Sequence, residues 1–71
     1  MIDPSATCHP SSVIEDGAKI GPGAVVGPFS VIGAEVTIGA GVEIKSHAVV
    51  TGRTTIGEDT VVFPGAVIGE I

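Results

Sequence analysis

The chain has 71 residues, 44% of them apolar, no Trp or Tyr, and a net charge of −5 from eight acidic and three basic residues. That balance excludes a basic surface for nucleic acid, the single cysteine excludes an internal disulfide, and no apolar run reaches the ~20 residues of a membrane span. The start has no signal-peptide pattern, so one cytoplasmic unit is expected, with no nucleic acid partner and no membrane insertion.

From the N-terminus, an aliphatic residue opens a six-residue unit at Ile2, and the openers that follow are Cys8, Ile14, Ile20, Val26, Ile32, Ile38, Ile44, Val50, Ile56, Val62 and Ile68. No insertion interrupts them. Cys8 fills an opener position and is read as a small buried hydrophobe. Two residues before each opener the side chain is small or β-branched, as at Ala18, Ala24, Ser30, Val36, Val42 and Ala48. Strand alternation puts both positions on one side, so a large and a small residue share a narrow interior. Pro4, Pro10, Pro22, Pro28 and Pro64 all fall two residues after an opener, where a missing N–H marks a corner and not a ladder position. Glycines collect one and three residues after the openers and never between opener and small partner.

A six-residue apolar period does not track the 3.6-residue helical repeat, and the Gly and Pro positions would break a helix. A hairpin meander would need longer strands and different turns. The pattern therefore predicts short parallel strands separated by corners, in coils stacked ~4.8 Å apart.

Several runs carry a resemblance. The paired units Ile20-Gly21-Pro22-Gly23-Ala24-Val25 and Val26-Gly27-Pro28-Phe29-Ser30-Val31 resemble those of the hexapeptide-repeat acyltransferases. The opening Met1-Ile2-Asp3-Pro4-Ser5-Ala6 with His9-Pro10, the run Lys45-Ser46-His47-Ala48-Val49-Val50 and Ile68-Gly69-Glu70 are similar to the N-terminal part of those members that acylate UDP-N-acetylglucosamine at the first step of lipid A biosynthesis. The resemblance implies an all-β, left-handed parallel β-helix with three units per triangular coil. Residues 1–71 then form a single β-helix segment of just under four coils, the N-terminal part of a longer enzyme. It also implies a homotrimer, with acyl carrier protein and UDP-N-acetylglucosamine as partners of the full-length parent only. In that family the base histidine and sugar-nucleotide contacts lie in later coils, and neither His9 nor His47 matches the catalytic histidine. No catalytic, cofactor or metal residue is expected, and the chain alone is expected to be inactive. Gly65 departs from the family's tendency to place an aromatic there. Another hexapeptide-repeat acyltransferase and a non-catalytic structural or engineered β-helix block remain alternatives.

With 18-residue coils, outward residues stack in columns. Met1, Lys19, Thr37 and Thr55 share one face, and Thr7, Val25, Glu43 and Val61 a second. Val13, Val31, Val49 and Val67 share the third. Valine suits any strand, but four in one outward column predict a subunit interface. His47 falls over Phe29 in one corner column, which predicts ring stacking, and Glu35 over Arg53, which predicts a surface ion pair. His9 and His47 are two coils apart, ~10 Å, too far for one metal. The chain stops at Gly69-Glu70-Ile71 in mid-coil without a capping element, so an open rung that pairs end to end is expected.

Overall fold

In the computed structural model, which describes residues 1–69, each opener from Cys8 on and the residue before it form a two-residue strand. The strands are β1 (Thr7–Cys8), β2 (Val13–Ile14), β3 (Lys19–Ile20), β4 (Val25–Val26), β5 (Val31–Ile32), β6 (Thr37–Ile38), β7 (Glu43–Ile44), β8 (Val49–Val50), β9 (Thr55–Ile56), β10 (Val61–Val62) and β11 (Val67–Ile68). Each of β1 to β8 pairs in parallel with the strand three places on: Thr7 with Val25, Val31 with Val49, Thr37 with Thr55. The 18-residue register makes three walls: β1-β4-β7-β10, β2-β5-β8-β11 and β3-β6-β9. An Ile2–Ile20 bridge extends the third. We call them, by their outward residues, the mixed, valine and polar faces. The result is a parallel β-solenoid with no helix among the described residues, consistent with a left-handed β-helix, and its extents are 30 × 21 × 20 Å. Among these residues no helix is long and apolar enough to cross a membrane. Glu70 and Ile71, and with them the expected C-terminal rung contact, lie outside the described residues.

The corners explain why the strands stay so short. At Gly21–Ala24 the Ala24 N–H donates to the Gly21 carbonyl (3.3 Å); Pro22 follows the opening glycine and Gly23 takes φ +70°. Proline second and a left-handed residue third is the pattern of a type II turn. Corners also stack: the Gly41 N–H donates to Pro22 O and the His47 N–H to Pro28 O, both at 3.0 Å. Not every glycine is there for its φ. At Gly27, a Cβ would lie 2.9 Å from Ile44 O and 2.9 Å from Lys45 C in the next coil, so this glycine permits the close approach of coils.

The interior follows the alternation read from the sequence. Ile20, Val26, Ile32, Ile38, Ile44, Val50, Ile56 and Val62 are buried, with Ala18, Ala24, Val36, Val42 and Ala48 between them. Openers of the end coils are less covered: Ile2 is exposed, and Cys8, Ile14 and Ile68 are half-buried. Thr60, small-partner position of the last level, is exposed because no coil lies over it. Met1 ties down the first coil, its ammonium donating to the Ala18 carbonyl.

Candidate subunit interface

The expected valine column is a real column. Val13 pairs with Val31, Val31 with Val49 and Val49 with Val67 across adjacent strands. Val13 and Val67 are more than half exposed, while Val31 and Val49 are half-buried by their neighbours. Stacked at the spacing of parallel strands, ~4.8 Å, the four side chains make an apolar strip along the face.

Two residues before each valine, on the same side of the chain, stands a second column: Ser11, Phe29, His47 and Gly65. Phe29 and His47 stack with ring centroids 5.2 Å apart and planes tilted by 32°, the contact expected from the sequence. Phe29 is nevertheless 60% exposed. Both residues adopt φ +59°, in the left-handed region that side chains with a Cβ enter only at a cost. Gly65 occupies the same corner one coil on, with φ +77°. Beneath the two rings Ser30 is fully buried. Its hydroxyl donates to the Lys45 carbonyl (2.8 Å) and accepts from the Ala48 N–H (3.3 Å). One side chain thus satisfies two backbone groups of the coil above and holds the corner against the valine strands.

The other border of the valine face differs in kind. It carries Glu15, Asp16, Glu35 and Arg53. Arg53 and Glu35 form the expected ion pair, at 3.6 Å and largely in solvent.

Chemistry-bearing residues outside this face do not assemble. Among the described residues no group of His, Cys, Asp or Glu could hold a metal ion, and His9 and His47 lie at corners of different coils. The His9 Nδ1 accepts from the Ser11 N–H (3.1 Å) and meets the Ser11 hydroxyl at 2.7 Å. That hydroxyl also accepts from the Phe29 N–H (3.2 Å). Ser5 does the same for the Gly23 N–H (3.0 Å). These two hydroxyls replace, in the first coil, the corner carbonyls that accept in later ones, those of Pro22 and Pro28 and then of Ala40 and Ser46. Ser5 also donates its N–H and hydroxyl to the Asp3 carboxylate, and these donors hold the Asp3 pKa below its ordinary value. Burial pushes the Cys8 thiol up, away from the thiolate that a nucleophile needs. Phe63 is 70% exposed, a corner aromatic without a packed partner role.

Sequence reasoning passed over the hydroxyl substitutes at Ser5 and Ser11, the left-handed residues at Phe29, His47 and Asp59, and a 2.6 Å ion pair between Lys45 and Glu43. The signal for the left-handed positions was in the repeat. They share the third place after an opener with Gly23, Gly41 and Gly65.

Residues 8–71 match the family described as the GMPPB C-terminal domain. Over 69 residues the chain is 61% identical to the acyl-(acyl-carrier-protein)–UDP-N-acetylglucosamine O-acyltransferase of Sinorhizobium fredii. That alignment covers 97% of the chain but 26% of the relative, so the chain spans about a quarter of the curated protein it matches.

Proposed function

The chain belongs to the GMPPB C-terminal domain family, and from that premise we propose that it is a β-helical scaffold segment of an O-acyltransferase, built to associate sideways as a homotrimer through its valine face. The observation that carries the enzyme assignment is the 61% identity over nearly the whole chain to such an enzyme. On this reading the parent protein moves an acyl group from acyl carrier protein to an oxygen of UDP-N-acetylglucosamine. On the same reading the segment contributes no reacting group: its histidines are corner residues, its cysteine is held as a thiol, and the hydroxyls of Ser5, Ser11, Ser12, Ser30 and Thr54 serve backbone N–H and C=O groups. It contributes a rigid wall. A parallel solenoid fixes outward residues at ~4.8 Å intervals, and the valine strip on that wall is the surface whose burial a second copy would supply.

Sedimentation of the chain and of a Val31→Lys/Val49→Lys variant tests the association. The unsubstituted chain is expected to sediment as a trimer. Two ammonium groups in the middle of the strip would have to be desolvated without partners, so the variant is expected to be monomeric. An unchanged oligomer in the variant, with the far-UV circular dichroism of the parent, would sink the assignment of this face. The purified chain should show no acyl transfer from acyl carrier protein to UDP-N-acetylglucosamine.

A further inference from the structure

All four ring side chains other than proline, His9, Phe29, His47 and Phe63, lie on one of the three edges of the prism, the edge where the mixed face turns into the valine face. It is also the edge without a carboxylate. Its residues 9–11, 27–29, 45–47 and 63–65 include none, whereas the edge between the valine and polar faces holds Glu15, Asp16 and Glu35, and the remaining edge Asp3, Glu58 and Asp59. Within this asymmetry the heights match. The Phe29–His47 stack and the Glu35–Arg53 ion pair span the same two coils, at opposite borders of the valine face, with Val31 and Val49 between them.

Neither pair is accounted for by the fold alone. An ion pair with side chains 87% and 63% exposed contributes little to stability. Phe29 and His47 hold a backbone conformation that glycine adopts more readily, as Gly65 does in the same column. A strained, exposed aromatic pair marks a surface whose gain lies outside the subunit.

We propose that the partner of this edge is a second copy of the chain, docked head to tail: the Phe29–His47 stack of one copy seats against Glu35–Arg53 of the next. This inference rests on the trimeric reading above. When three prisms turn their valine faces to a common axis, the ring edge of each necessarily meets the acidic edge of its neighbour at the same height, a heterologous contact that closes after three copies. The chemistry of the two borders fits. The planar guanidinium of Arg53 stacks on an aromatic face, and the Glu35 carboxylate accepts from the imidazole N–H of His47. A two-fold axis running across the coils would instead set like edges together and leave each acidic border without a ring partner.

Two double variants and their mixture decide this. Phe29→Gly/His47→Gly removes the rings and leaves a corner that glycine occupies without strain. Glu35→Ala/Arg53→Ala removes the exposed ion pair. Each alone is expected to weaken self-association at least about tenfold in sedimentation equilibrium, with unchanged far-UV circular dichroism. Each retains the edge that the other lacks, so an equimolar mixture is expected to form a 1:1 pair through the one intact contact. Variants that remain trimeric, or a mixture that stays monomeric, would overturn the inference and leave the valine face standing. A monomeric unsubstituted chain would overturn the face and this inference together.

Discussion

Gly27 and Gly57 occupy the same place in the repeat, one residue after a buried opener, and neither has a left-handed φ. The structure nevertheless predicts opposite outcomes for alanine. At Gly27 a Cβ would meet Ile44 O at 2.9 Å, Lys45 C at 2.9 Å and Ser46 N at 3.0 Å, all backbone of the next coil. None of these atoms can swing away, and relief requires the coils to part. Overpacking of this kind costs about 1–3 kcal/mol. At Gly57 the only neighbour within reach is Thr60 Oγ1 at 4.0 Å, an ordinary contact. There alanine restricts the unfolded chain without straining the folded one, which stabilises by about 0.4–1 kcal/mol. The two variants should therefore differ by roughly 1.4–4 kcal/mol, which for a chain of this size corresponds to about 6–30 °C in Tm at ~4–8 °C per kcal/mol. The chain lacks Trp and Tyr, so thermal and urea unfolding are followed by far-UV circular dichroism, at one protein concentration because association shifts apparent stability. Equal stability of Gly27→Ala and Gly57→Ala would refute the claim that coil contact, and not turn conformation, selects glycine at this position.

Ser30→Ala should destabilise by about 1–3 kcal/mol, because it strips the Lys45 carbonyl and the Ala48 N–H of a partner in a fully buried place; urea titration reads the loss, and a neutral result would mean that the corner relaxes around the change. Asp3, its pKa lowered by the Ser5 donors, favours the folded state when ionised. That contribution should be full above the unfolded-state pKa of about 3.9 and lost as pH falls through the lower folded value. The stability difference between the chain and Asp3→Asn should thus stay flat at neutral pH and shrink below about pH 4. Cys8, half-buried with its thiol pushed up, should react with a disulfide reagent at pH 8 more slowly in the folded chain than in urea, and equal rates would contradict its burial.

The sequence yielded the architecture because the solenoid is the simplest case for pattern reading. A strict period and prolines confined to one place in the unit leave few alternatives, and adding the family's three units per coil makes every register follow by arithmetic. The Phe29–His47 stack and the Glu35–Arg53 pair were legible for the same reason, since each is only a question of which residues lie 18 apart. What escaped the reading involves a dimension that the period does not carry. Ser11, unlike Phe29, His47 and Gly65 in its column, is not left-handed, and its hydroxyl turns to the Phe29 N–H; one hexapeptide cannot reveal that its corner differs from the next. Lys45 and Glu43 are two residues apart on a strand end, a spacing that column arithmetic ignores.

The borders of the valine face show where periodicity stops being a guide to function. Successive strands go to the three walls in turn, so the repeat makes the three faces equivalent as scaffolds; only the departures from it distinguish them. Valine in all four levels of one outward column is one such departure, and rings without carboxylates on one adjoining edge are another. Neither improves the fold: the valines are partly in solvent, and the rings occupy a glycine conformation. Residues that are dispensable to the core and costly to the backbone are the ones on which the proposed association rests. Such residues also fix a direction. A two-fold axis running across the coils would set like edges together, so the asymmetry of the borders argues for copies whose coils run parallel.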